Sequence, residues 1–222
     1  MNQPESTQKQ ARALTFHTLI EVLKMQWPAQ TASCWPTNSL KVGGDTSAND
    51  AAQCSIGDLQ SARKGSGARY NQGKPEYDLI PLLQLAATLD RTVTRDSGDP
   101  VDQAIVALDY LGCWQARRAD VHRLYLSAAM DVLDAPYDEA ARVFAYGAQK
   151  YAPFNWCKGM PWSVPLGCAV RHLLAIIKGQ SDDPESGLPH RGHVCCNLIM
   201  LQTYADTYRD GDDRAPIGSF TA

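Results

Sequence analysis

No run of basic residues, no C-x-x-C pair and no apolar stretch of membrane-spanning length occurs in this chain. The first absence, with a net charge of −3, argues against direct nucleic-acid binding while leaving a nucleotide substrate open. The second, with an odd count of 7 cysteines, argues for reduced thiols rather than a disulfide framework or a zinc knot. The third, with an N-terminus reading Met1-Asn2-Gln3-Pro4-Glu5, points to the cytoplasm and away from a membrane or secretory route. Strand-like alternation and internal repeats are missing too. The reading is therefore all-α, with five to seven helices in a compact domain and an N-terminal helical arm. At 222 residues and 44% apolar content the chain can bury a core.

Helical spacing and start signals place the elements. Ala13, Phe16, Ile20 and Leu23 mark a helix over about 10–26, followed by a polar linker over 28–52. Cys54 to Lys64 is read as a short helix. Further helices are expected near 81–91, from Asp99-Pro100 to about 117, over 120–132, from Pro136 to about 149, over 163–177 with Ser163 as cap, and from His190 to about 208. The expected organisation is residues 1–64 as helix and linker, 65–209 as a helical nucleotide-binding or hydrolase-like domain, and 210–222 as a loose tail.

Chemistry concentrates between Arg171 and Asn197, which holds three of the five histidines: His172, His190 and His193. The turn between the helices carries Asp182, Asp183 and Glu185. His190, His193 and Asn197 are three and four residues apart, so they share a helical face beside the apolar stripe Val194, Leu198 and Leu201. Polar groups at the border of a core need partners. A metal, an anion or the nearby carboxylates would satisfy them. The bland alternative is that the histidines only bond neighbours and cap helix ends. Upstream, Gly65, Gly67 and Gly73 with Arg69 and Lys74 form a loop able to hold phosphate, although it lacks the G-K-[ST] ending of a Walker loop. Glu139 is expected at the core edge of its helix. The aromatic loop with Lys150, Asn155 and Trp156 suits a nucleobase or a roof over the core.

The order Gly73-x-Pro75-x-Tyr77-Asp78-Leu79-Ile80-Pro81, Tyr146-Gly147-Ala148-x-Lys150-Tyr151, Asn155-Trp156, Arg171-His172 and Asp183-Pro184-Glu185-Ser186-Gly187-Leu188-Pro189-His190-x-x-His193 resembles the phage dATP/dGTP diphosphohydrolase N-terminal-domain family. Some of its members are associated with MazZ-type enzymes. The likeness covers about residues 65–205. It departs from the family pattern at Gln180 and Leu82. The resemblance implies cleavage of a purine deoxynucleoside triphosphate to the monophosphate and pyrophosphate, adjusting nucleotide pools in the cytoplasm of an infected cell. It implies Mg²⁺ or Mn²⁺ held by Glu139, Asp183 and Glu185, acid–base roles for His190, His193 and Glu185, and substrate contacts from Lys74, Lys150, Asn155, Trp156, Arg171 and His172. A homo-oligomer is open. So are two other readings: a non-catalytic nucleotide-binding module, sequestering or regulatory, and a structural helical protein.

Overall fold

The computed structural model describes residues 56–117, 122–134 and 136–220. The expected N-terminal helix and the linker over 28–52 lie outside the described residues. Among the described residues there are six α-helices: α1 Leu82–Thr92, α2 Pro100–Gln115, α3 His122–Val132, α4 Tyr137–Lys150, α5 Ser163–Ile177 and α6 His190–Thr207. Short 3₁₀ turns occur at Tyr77–Leu79, Asn155–Lys158 and Arg209–Gly211. The described residues contain no strand beyond two isolated bridges, Ile56 with Arg69 and Asp182 with Pro189. The fold is all-α, and no described helix is long and apolar enough to cross a membrane.

Helix α6 is the centre of the molecule. Between His190 and Thr207 only Arg191 and Asp206 are charged, so little of its surface favours water. The run Gly192–Leu198 is buried without a break, and α3, α4 and α5 pack around it. Helix α2 packs against α1, α3 and α5. Leu108, Leu111, Leu126, Leu166, Leu173, Leu198 and Leu201 fill the space between the helices. The start signal at α2 operates as its residue types require. The Asp99 carboxylate accepts the Asp102 N–H at 2.7 Å, and Pro100 occupies a position with no N–H to satisfy.

Three local expectations change. The short helix over 54–64 is not formed from residue 56 onward. Ile56 instead exchanges both backbone hydrogen bonds with Arg69, at 3.1 and 2.8 Å. Ser163 does not cap α5. It is the first helical residue, and Asp213 supplies the cap by accepting the Ser163 N–H at 2.8 Å and its hydroxyl at 2.6 Å. The segment after 209 is tethered rather than loose. Arg214 is buried over the Trp114 ring and donates to the Trp114 carbonyl at 2.8 Å and to the Asp212 carboxylate.

The glycine-rich stretch has a structural task. Gly65 and Gly67 donate their N–H groups to the Lys158 and Gly159 carbonyls at 2.7 and 2.8 Å. A Cβ on Gly67 would stand 2.5 Å from the Gly159 oxygen, so the two chains approach as closely as they do because no side chain intervenes. The motif around Tyr77 to Pro81 is fixed by Gln115. Its amide donates to the Asp78 and Ile80 carbonyls and accepts the Leu82 N–H.

Candidate functional site

A cavity of about 730 Å³ opens between α4, α5, α6, the loop over 150–160 and the turn over 180–190. That volume is in the range of small-molecule sites. The turn that forms one wall folds as its residues dictate. Asp183-Pro184-Glu185-Ser186 is a strong turn sequence. The Asp183 carboxylate accepts the Ser186 N–H at 3.0 Å and its hydroxyl at 2.9 Å. Gly187, at φ +68°, lets the chain reverse and donate to the Asp183 carbonyl at 2.8 Å. The Asp183 N–H then donates to the Leu188 carbonyl at 2.9 Å, and the His190 N–H donates to the Ser181 carbonyl at 2.9 Å. The turn is thereby closed at the start of α6.

The three histidines meet here. The Nδ1 atoms of His172 on α5 and His190 on α6 are 2.8 Å apart. The His193 ring stacks on His172 with centroids 4.3 Å apart, and its Nε2 lies 2.8 Å from the Ser186 hydroxyl. Burial, then the neighbouring His172 charge, lowers the His193 pKa to about 4, so its imidazole is neutral at pH 7. His190 is shifted in the same direction for the same two reasons. Burial works against the charged form of Asp183, but the two Ser186 hydrogen bonds and the adjacent histidines outweigh it and keep this carboxyl below its ordinary range. His190 Nε2 and Asn197 Oδ1 are buried without a hydrogen-bond partner among the described residues.

Nearly every residue singled out in the sequence lines this cavity: Lys74, Lys150, Asn155, Trp156, Arg171, His172, Asp183, Glu185, His190 and His193. Glu139 does not. The Arg191 guanidinium binds both of its oxygens, each 2.9 Å from Nε, on the other side of the α4–α6 contact. Glu185 is at the cavity but already paired with Lys150, while Lys74 stands 3.8 Å away and the Tyr146 hydroxyl donates to it at 3.3 Å. The Lys150 hydrogen bond lowers the Glu185 pKa against its partial burial. The expected trio of carboxylate metal ligands is therefore not assembled, and only Asp183 of the three faces the histidines. A hard cation held mainly by protein carboxylates does not fit these residues.

Two expected substrate contacts have structural partners. Asn155 is buried, accepts the Ala68 N–H at 3.0 Å and donates to the Ala68 carbonyl at 2.7 Å, so its amide is spent on the wall. Arg171 donates to the Pro75 carbonyl and to Asn71 Oδ1, at 3.0 and 3.2 Å, which ties down the segment that carries Lys74. Trp156 rests on Phe144 with centroids 5.2 Å apart. Phe154, in the left-handed conformation at φ +59° and 75% exposed, stands at the cavity as well.

Cys168 was not foreseen. Its Sγ is 3.0 Å from an Arg69 nitrogen. Burial would push this thiol up, but the influence of Arg69 and then His172 prevails and holds it well below the ordinary thiol range. A lone cysteine one turn before His172 on α5 gives no sign in sequence of an arginine 99 residues away.

Residues 119–214 match the model of the dATP/dGTP diphosphohydrolase N-terminal family. The match takes in α3 to α6 and all the cavity residues named above except Lys74, Ala68 and Arg69, with the 71–75 segment; the Tyr77–Pro81 motif lies outside it. A dATP/dGTP diphosphohydrolase of Salmonella phage PMBT28 is 33% identical over 88 residues, which is 39% of this chain. The chain spans 30% of the length of that relative. No solved structure matches the chain.

Proposed function

We propose that the cavity binds a purine deoxynucleoside triphosphate and that this chain hydrolyses it to the monophosphate and pyrophosphate. The observation that carries this reading is the meeting, in one cavity, of Lys74, Lys150 and the three histidines with the aromatic side chains Tyr146, Tyr151, Phe154 and Trp156. Cations suit a triphosphate, and aromatic faces suit a base. The family match and the name of the phage relative support the reaction class.

In this reading the triphosphate draws Lys150 and Lys74 away from Glu185. Lys74 lies over the Tyr70 ring and Lys150 near the rings of Tyr70, Tyr146 and Tyr151, about 6 Å from the centroids, so both stay at the mouth when the pairing changes. Water attacks the α-phosphorus, the bond from that phosphorus to the oxygen bridging to the β-phosphate breaks, and pyrophosphate leaves with the electron pair. The proton lost by water goes to His193, which is neutral and therefore has a lone pair available. Ser186 and Asp183 hold that ring in place. A divalent cation held by Asp183 with His172 and His190 would neutralise phosphate charge and make water more acidic.

A specific observation favours a second reading, a non-catalytic nucleotide-binding module. Glu139 and Glu185 are engaged by Arg191 and Lys150, which leaves few free carboxylates for the metal chemistry of a hydrolase. Incubating the purified chain with the four dNTPs and Mg²⁺ or Mn²⁺, and separating the products, decides between them. Monophosphate and pyrophosphate formed from dATP or dGTP support hydrolysis. Tight binding with no product supports the module. Neither binding nor turnover refutes both.

A further inference from the structure

We propose that His172, His190 and Asp183 form a nitrogen-rich site for a first-row transition-metal cation of the Mn, Fe, Co, Ni or Zn class, in preference to Mg²⁺. One ligating atom from each of these residues lies within 4.8 Å of the other two. They come from three separate pieces of chain: α5, the start of α6, and the turn between them. Such convergence is what metal coordination needs and what helix packing by itself does not produce.

The hydrogen-bond accounting of the pair points the same way. A neutral imidazole has one N–H and one lone pair. The contact between the two Nδ1 atoms at 2.8 Å uses one proton and one lone pair, and His190 Nε2 is left buried with no partner. A cation between the rings would use both Nδ1 lone pairs at once, so that neither ring has to act as donor to the other; each Nε2 would then carry the ring proton. Asp183 is already oriented. Its Oδ2 takes both Ser186 hydrogen bonds, and Oδ1 makes no hydrogen bond among the described residues.

The donor set chooses the class of metal. Two imidazoles and one carboxylate suit borderline first-row ions, whereas Mg²⁺ prefers oxygen from carboxylates, phosphates and water. The two other acidic residues that would have hardened the site are held elsewhere, Glu139 by Arg191 and Glu185 by Lys150. The inference stands on this geometry and needs no nucleotide.

The test uses the untagged full chain, stripped with chelator and titrated with Co²⁺ in the absence of nucleotide, following visible absorption. Competition with Zn²⁺ and with a large excess of Mg²⁺ follows. The expected result is one Co²⁺ per chain with ligand-field bands, displaced by Zn²⁺ and not by Mg²⁺. His172→Gln and Asp183→Asn should each weaken Co²⁺ binding about tenfold or more, with the helical circular dichroism retained, while Glu139→Gln binds as the parent does. His172 and Asp183 are only half-buried, so these variants report even where a change at buried His190 would not fold. Failure of Co²⁺ to bind, displacement by Mg²⁺, a thiolate-to-cobalt absorption band, or undiminished binding by the folded His172→Gln chain would each overturn the proposal. Lack of dNTP turnover would not bear on it, because no nucleotide is present.

Discussion

Replacing Asn155 by alanine separates two roles that its position in the chain leaves equally open. In the structure both ends of its amide are bonded to the backbone of Ala68, at 3.0 and 2.7 Å, and both residues are buried. Alanine leaves the Ala68 N–H and carbonyl without partners where water does not reach. At about 1–3 kcal/mol for each orphaned group, the expected loss is roughly 2–6 kcal/mol. For a domain of this size 1 kcal/mol moves the melting temperature by about 2–4 °C, so a fall of roughly 4–24 °C is expected. Asn155→Asp should fall too, because aspartate accepts from Ala68 but has no N–H for its carbonyl. Thermal unfolding by far-UV circular dichroism measures this, and nucleotide affinity at a temperature where both proteins are folded is measured alongside. A melting temperature unchanged for both variants, together with weakened nucleotide binding, would refute the clamp and restore Asn155 as a base contact.

Other outcomes follow from single contacts. His193→Ala should weaken nucleotide binding or turnover by a factor of about ten or more, about 1.4 kcal/mol, and a lowered melting temperature with unaltered affinity would make this histidine structural. Gly192→Ala, normally helpful inside a helix, should destabilise by about 1–3 kcal/mol, because the new Cβ would stand 2.7 Å from the Glu139 Cβ where α4 and α6 touch; urea titration reads the sign. Burial opposes ionisation of Asp212, but Arg214 and Arg117 more than offset it, so its folded pKa lies below the unfolded value. Its stabilisation is therefore complete above the unfolded carboxyl pKa and is lost as pH falls through the folded one. Acid titration of stability should be less steep in Arg214→Met than in the parent at the low-pH end, and parallel curves would contradict the pairing.

The helices were legible because their signals are local. Asp99-Pro100 fixes the start of α2 from adjacent residues, and the spacing of Leu166, Val170 and Leu173 shows which side of α5 is buried. The His–Asp turn was legible for a similar reason, since its polar residues crowd into one short stretch between two apolar helices. What the sequence concealed is pairing over distance. The cap of α5 comes from Asp213, 50 residues on, and the partner of Asn155 is 87 residues back. Glu139 looked available because Arg142, the nearby cation of its own helix, also stands four residues from Asp138, yet Arg191 reaches Glu139 from 52 residues away. A single sequence carries periodicity but not these cross-chain choices, so the carboxylates available to a metal could not be sorted from those already neutralised.

The wall built by residues 56–70 also sets the order in which the cavity comes into being. Its hydrogen bonds to 155–159 span about 90 residues of chain, whereas α5 and α6, joined by a short turn, meet across a much smaller loop. Closing the longer loop costs more chain entropy and gains only a few contacts in return. The helical core therefore assembles first and the wall docks onto it afterwards. On the way back the same segment is the first to detach, exposing the cavity while the helices remain intact. Detachment of this wall is thus the expected lowest-cost opening of the cavity, read as slow exchange of the α6 amides alongside fast exchange at Gly65, Gly67 and Ala68.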